Sequence, residues 1–173
     1  MAEPSQASET AGDATAEETS DLIAERRRKL ERFREESGLD PYGQRLDDLT
    51  DLAAARERYD PDADAAQKAD AADDRRPRVR VAGRIVQHRV LGNLIFMSLR
   101  DASGDLQVAV SKKAVGNDRF KLAKLADLSD IVAAEGPLGT TKTGEITVWA
   151  MPGEAESAIG GFTLSTKSLS QPA

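Results

Sequence analysis

No cysteine occurs among the 173 residues, and histidine occurs once, as His88. Disulfide scaffolds, thiolate metal sites and thiol nucleophiles are thereby excluded, and one imidazole cannot assemble a metal cluster. Aromatic residues make up only 4% of the chain, so the position of each carries information. Long apolar runs are also missing. No stretch approaches the roughly 18 residues needed to span a bilayer. The opening segment, MAEPSQASETAGDATAEETS, is acidic where a signal or transit peptide would be basic. These absences suit a reducing interior, and the expectation is a cytoplasmic protein without a membrane partner.

What is present divides unevenly. Residues 1–76 carry 12 basic against 21 acidic side chains, whereas residues 77–173 carry 12 against 9. The second part can therefore face an anionic partner, although so small a surplus is also ordinary for a solvated surface. A hydrophobic content of 39% suffices for one modest core with a polar appendage.

Residues 1–20 hold no large apolar group after Met1 and are expected to be a disordered acidic tail. Residues 21–76 read as a helical extension and linker. A helix is expected from near Ser20 to Ser37-Gly38, with Leu22, Ile23, Arg26, Leu30 and Phe33 on one stripe. A turn at GLDPYG and a second helical stretch from Leu46 to Tyr59 follow. DPDADAAQKADAADD reads as an Ala/Asp linker.

From Arg78 the period becomes two. Val79, Val81, Gly83 and Ile85 alternate with Arg78, Arg80 and Arg84. GNLIFMSLRDASGDLQVAV forms a hairpin whose buried faces would be Ile95, Met97, Leu99 and Leu106, Val108, Val110. DRFKLAKLADL is a short amphipathic helix, and DIVAAEGPLGTTKTGEITVWA a second hairpin turning at Lys142-Thr143-Gly144. A last strand segment, GFTLSTKSL, follows. Five strands with a helix between strands 3 and 4 is the order of an OB-fold, a five-stranded Greek-key barrel, here mainly β with N-terminal helices and spanning residues 77–173. Such barrels bind oligonucleotides on the face of strands 2 and 3 and with the loops joining strands 1–2 and 4–5. Phe96 points outward from strand 2, where an aromatic ring can stack on an unpaired base. Gln107 on strand 3 and Glu145 at the 4–5 turn can hydrogen-bond a base edge.

RRRKLERFREESGLDPYG, VRVAGRIVQHRVLGNLIFMSLRDASGDLQVAVSK, LADLSDIVAAEGPLGTTKTGEITVWA and LSTKSLS together resemble the N-terminal, anticodon-binding region of class II lysyl-tRNA synthetases, over roughly Leu22 to Ser170. The barrel is shared with the aspartyl and asparaginyl enzymes; the helix, the GLDPY turn and the closing KSL tilt the resemblance to lysine. It implies that Phe96 stacks on the central anticodon uridine, that Gln107 and Glu145 contact anticodon bases, and that Arg89 serves from the 1–2 loop. Arg26, Arg27, Lys29, Arg84 and His88 are candidate contacts to RNA phosphate. The helix charges also fit a solvated face laced with pairs such as Glu25 with Lys29, and His88 an ordinary loop position. Trp149 is expected to fill the barrel end or pack on the N-terminal helix, with stacking on a base as the alternative.

Departures from the family pattern are Gly43 in place of the second proline of Pro-Tyr-Pro, Asn93 in place of a loop lysine, and an insertion, MPGEAESAIGG, in the last strand region. Class II catalytic motifs are absent from these residues; GNDRF at Gly116 to Phe120 only echoes one. The chain is therefore expected to bind a tRNA anticodon stem-loop without catalysis of its own and without a cofactor, ATP and Mg belonging to a catalytic domain. Aminoacylation of a lysine tRNA would follow only if that domain were supplied elsewhere, as a partner, and a homodimer is the other assembly the resemblance suggests. The alternative is an OB-fold for single strands in general or for a protein.

Overall fold

The computed structural model describes residues 10–37 and 45–169. In chain order these form α1 (Thr10–Ser37), α2 (Leu52–Glu57), α3 (Pro61–Ala69), β1 (Arg78–Leu91), β2 (Leu94–Arg100), β3 (Asp105–Ser111), α4 (Lys112–Leu125), β4 (Ile131–Thr140), β5 (Ile146–Ala150) and β6 (Phe162–Thr166). β1 pairs antiparallel with both β2 and β4, β2 with β3, and β4 with β5, while β3 and β5 run parallel. Five strands thus close into a ring in the order β1-β2-β3-β5-β4. β6 adds to β4 as a sixth strand.

Alternation builds the interior. Ile95, Met97, Leu99, Leu106, Val108 and Val110 are all at most 1% exposed, so the period-two reading holds at every inward position of the β2–β3 hairpin, while Ala109, expected outward and wet, is also buried. β1 begins likewise, with Val79, Val81 and Ile85 buried. A β-bulge between Ile85 and Gln87 then shifts the register. One extra residue reverses the parity of everything after it. His88 and Val90 consequently fall opposite the inward Met97 and Ile95, while Gln87 and Arg89 join the outward Ser98 and Phe96.

The helical region departs from expectation in three places. α1 starts at Thr10, ten residues before Ser20; Ala11, Ala14, Ala16, Glu17 and Glu18 favour helix there, against Gly12, Asp13 and three threonines. Residues 1–9 and the GLDPYG turn lie outside the described residues. The second helical stretch contracts to Leu52–Glu57, whose N-terminus is capped from the β2–β3 turn: Asp101 Oδ2 accepts from the Leu52 amide at 2.9 Å and Ser103 Oγ from the Ala53 amide at 3.0 Å. The expected Ala/Asp linker contains α3. Asp60 Oδ1 caps it, accepting from the Asp62 and Ala63 amides, with Pro61 in the first turn. Aspartate followed by proline is a helix start, and it prevails over the lack of large apolar residues.

α1 docks through Leu30 and Phe33, 7% and 2% exposed, and through charge. Lys29 Nζ donates to Asp127 Oδ1 at 2.6 Å, and Arg26 Nη1 to the Ser168 carbonyl at 3.3 Å. Buried Lys167 donates to Asp127 Oδ2 at 2.7 Å and to Asp130 Oδ2 at 2.6 Å. Burial pushes the Asp127 carboxyl up, but the Lys167 and Lys29 ammoniums together hold it below its ordinary value of 3.8. Below that value the unfolded chain takes up the proton before the folded one does. Stability contributed by this group is therefore present above the ordinary value and is lost as pH falls through the lower, folded one. Asp101 and Asp64 shift in the same direction. Asp127→Asn should accordingly remove part of the acid-dependent loss; urea titrations of parent and variant at descending pH check this, and identical pH profiles would reject it.

The insertion is a loop between β5 and β6 fixed to the ring. Buried Glu135 accepts from Ser157 Oγ at 3.0 Å and from the Gly161 amide at 3.2 Å, and Ile159 is fully buried.

Candidate nucleic-acid interface

The outward face of β1, β2, β3 and β5 is ordered by register into rows. One row reads Gln87, Ser98, Gln107, Thr147; the next reads Arg89, Phe96, Ala109, Trp149. Phe96 is partly exposed, and its ring meets that of Trp149 edge to face, with centroids 6.4 Å apart and planes at 74°. Ala109 stands between them in register and is 1% exposed, so this outward alanine is covered. Trp149 thus neither fills the barrel end nor packs on the N-terminal helix. The parallel pairing of β5 with β3 brings it to the outer face beside Phe96.

Gln107 is held in place. Its Nε2 donates to Thr147 Oγ1 at 2.9 Å, and that buried hydroxyl donates to the Glu145 carbonyl at 3.0 Å. A carboxamide has two donor hydrogens and an acceptor oxygen, so the bond to Thr147 orients the group while leaving base-reading capacity. Glu145 follows the β4–β5 turn, in which the Gly144 amide donates to the Thr141 carbonyl at 2.9 Å. Its carboxylate is half exposed and lies 3.8 Å from Arg56 Nη1 of α2. Arg56 gave no signal in the sequence, because α2 and the turn meet only in the fold.

Arg89 is exposed, on β1 rather than in the 1–2 loop, directly opposite Phe96. The bulge puts it there. Phe96, Gln107 and Arg89 therefore share one surface with Glu145 at its rim. The remaining candidates do not gather with them. His88 is a strand residue, not a loop residue, and its Nε2 lies 2.8 Å from the Ala123 carbonyl at the end of α4. Arg84 donates to the Ser129 carbonyl at 3.2 Å. Arg26 and Lys29 bind the body of the protein as described, whereas Arg27 is exposed on α1. Among the described residues, no group of three or more His, Cys, Asp or Glu could hold a metal ion, and no helix is long and apolar enough to cross a membrane.

The chain matches known proteins. Residues 79–151 match the tRNA anticodon family described as an OB-fold nucleic acid binding domain. The chain is 36% identical over 156 residues to a lysine–tRNA ligase of Bacillus cereus, covering 88% of this chain and 28% of the relative. Lysine–tRNA ligases of Enterococcus faecalis and Staphylococcus aureus are 35% and 36% identical over 90% and 89% of this chain, again with 28% of the relative covered. The chain thus spans little more than a quarter of the length of these relatives. Residues 79–151 are an OB-fold domain of the tRNA anticodon family, carried in a chain homologous over most of its length to a part of lysine–tRNA ligases.

Proposed function

We propose that the chain binds the anticodon loop of a tRNA of the lysine type, stacking an unpaired base on Phe96 and reading its edge with Gln107. The observation that carries this reading is Phe96 itself, an aromatic on the outer face with Arg89 opposite it and an oriented amide one row away. Stacking supplies affinity without choice among bases, because every base has a π-face. Choice comes from the amide. Uracil presents an acceptor at O4 where cytosine presents an amino donor, so a donating Gln107 favours uracil. Glu145 contacts a neighbouring base edge and Arg89 a base or phosphate beside it, and exposed Arg27 adds phosphate grip without reading sequence. Joined to a catalytic domain, such binding would serve aminoacylation in the cytoplasm; ATP and Mg would act in that domain.

Phe96→Ala should weaken binding to a stem-loop RNA with a central anticodon uridine by about 1–3 kcal/mol. Its thermal unfolding should stay cooperative, the residue being outside the core. Gln107→Ala should narrow the preference for a central uridine over cytidine and leave the salt dependence unchanged, because no phosphate contact is lost. Fluorescence anisotropy at several salt concentrations measures both. Undiminished affinity in the first variant sinks the stacking role, and undiminished discrimination in the second favours an OB-fold for single strands in general.

A further inference from the structure

We propose that Trp149 and the cavity between β5 and α3 form a second nucleobase site, which takes the nucleotide next to the one stacked on Phe96; this rests on the RNA binding proposed above. Phe96 and Trp149 stand in one row, yet their planes differ by 74°. One base cannot lie flat on both rings, so two rings serve two bases. Trp149 is partly exposed, and its ring borders a cavity of about 270 Å³ whose other walls include Ala109 and, from the α3 side, Asp64, Gln67, Lys68 and Arg76. Apolar walls with a few convergent polar groups are the usual make-up of a small-ligand site.

The polar end of that cavity is unevenly satisfied. Asp64 is 2% exposed. Its Oδ2 accepts from Tyr59 Oη at 2.9 Å, Lys68 Nζ at 2.8 Å and Thr140 Oγ1 at 2.7 Å, whereas its buried Oδ1 has no hydrogen-bond partner. Oδ1, Trp149 Nε1 and Arg76 Nη1 converge above Gly139, at 2.9, 3.0 and 3.0 Å from where a β-carbon would stand there. A buried acceptor without a donor is costly. Burial pushes the Asp64 carboxyl up, but hydrogen bonds from Lys68, Thr140 and Tyr59 hold it below the ordinary value, so it remains an acceptor. A base brings N–H donors and a phosphate brings none. The chemistry therefore favours entry of the base, with Lys68 and Arg76 drawing the sugar–phosphate to the mouth.

Trp149 is the sole tryptophan, so tryptophan fluorescence reports on the surroundings of this ring. The probe is a stem-loop RNA with a uridine-rich loop, made as a set in which each loop nucleotide in turn is abasic. With the unaltered protein, two neighbouring abasic positions should each weaken binding about tenfold, and at saturation one of them should lose the quenching of Trp149. Trp149→Leu should abolish sensitivity at that position and Phe96→Ala at the other. If Trp149→Leu does not fold, the quenching series on the unaltered chain still decides. Binding with a single sensitive position that depends on Phe96 overturns the second site while the proposed function stands. No binding of the intact stem-loop overturns both.

Discussion

Asp130→Ala should cost about 3–5 kcal/mol of unfolding free energy, the usual consequence of removing one partner from a buried ion pair. Asp130 is 0% exposed and Lys167 3%. The carboxylate does more than neutralise the ammonium: Oδ1 accepts from the Ser168 amide at 2.8 Å, and Oδ2 accepts from the Asp127 amide at 2.8 Å as well as from Lys167. Alanine would remove the carboxylate that the Asp127 and Ser168 amides donate to, and one of the two carboxylates, Asp127 and Asp130, that accept from the buried Lys167 ammonium. Lys29→Ala, at the partly exposed rim of the same cluster, should cost far less, about 1 kcal/mol or below. Urea unfolding of both variants tests the contrast; equal and small losses would mean that water enters and replaces the missing carboxylate.

Gly136→Ala should destabilise the fold by more than about 3 kcal/mol, beyond ordinary overpacking. Gly136 lies on β4, opposite Val79 of β1. A β-carbon there would overlap the Trp149 carbonyl oxygen and come within 2.8 Å of its carbonyl carbon. Backbone cannot rotate away as a side chain does, so β5 would have to leave its place in the ring. Gly144→Ala makes the control. Its φ is +85° but nothing stands within 4 Å of the added carbon, so only the left-handed backbone penalty of about 1–2 kcal/mol applies. Thermal melts that rank the two variants the other way would show that β5 moves freely. Displacement of β5 would also carry Trp149 from the side of Phe96, linking this glycine to the outer face.

How far the sequence discloses this arrangement depends on whether a feature is local. The alternation from Ile95 to Val110 is written in adjacent residues, and each inward position is buried; Phe96 follows as outward by the same parity. Nothing in RIVQHRV announces that β1 runs on through a bulge to Leu91, so the loop placement of Arg89 and His88 fails there. Trp149 shares its face with Phe96 only because β3 and β5 pair in parallel, a relation between segments that no window of sequence contains. Lys167 is similar. Its KSL context carries the family resemblance, yet its burial against Asp127 and Asp130 depends on elements far apart in the chain. α3, by contrast, has a readable start at Asp60-Pro61, and an alanine-rich composition masks it.

Closure of the ring by β1 and β4 has a kinetic consequence. The β1–β2 hairpin turns within two residues, Gly92 and Asn93, and pairs Leu91 with Leu94; hairpins of this kind form in microseconds. β1 meets β4 only when Arg84 finds Ile131 and Arg78 finds Pro137, a loop whose closure entropy must be overcome before any contact rewards it. Folding should therefore proceed hairpin first and seam last, on the slow side for a domain of this size. In pulse-labelling hydrogen exchange, the Met97 and Val108 amides should gain protection before those of Ala133 and Ala134, so the surface bearing Phe96 is assembled before the barrel beneath it has shut.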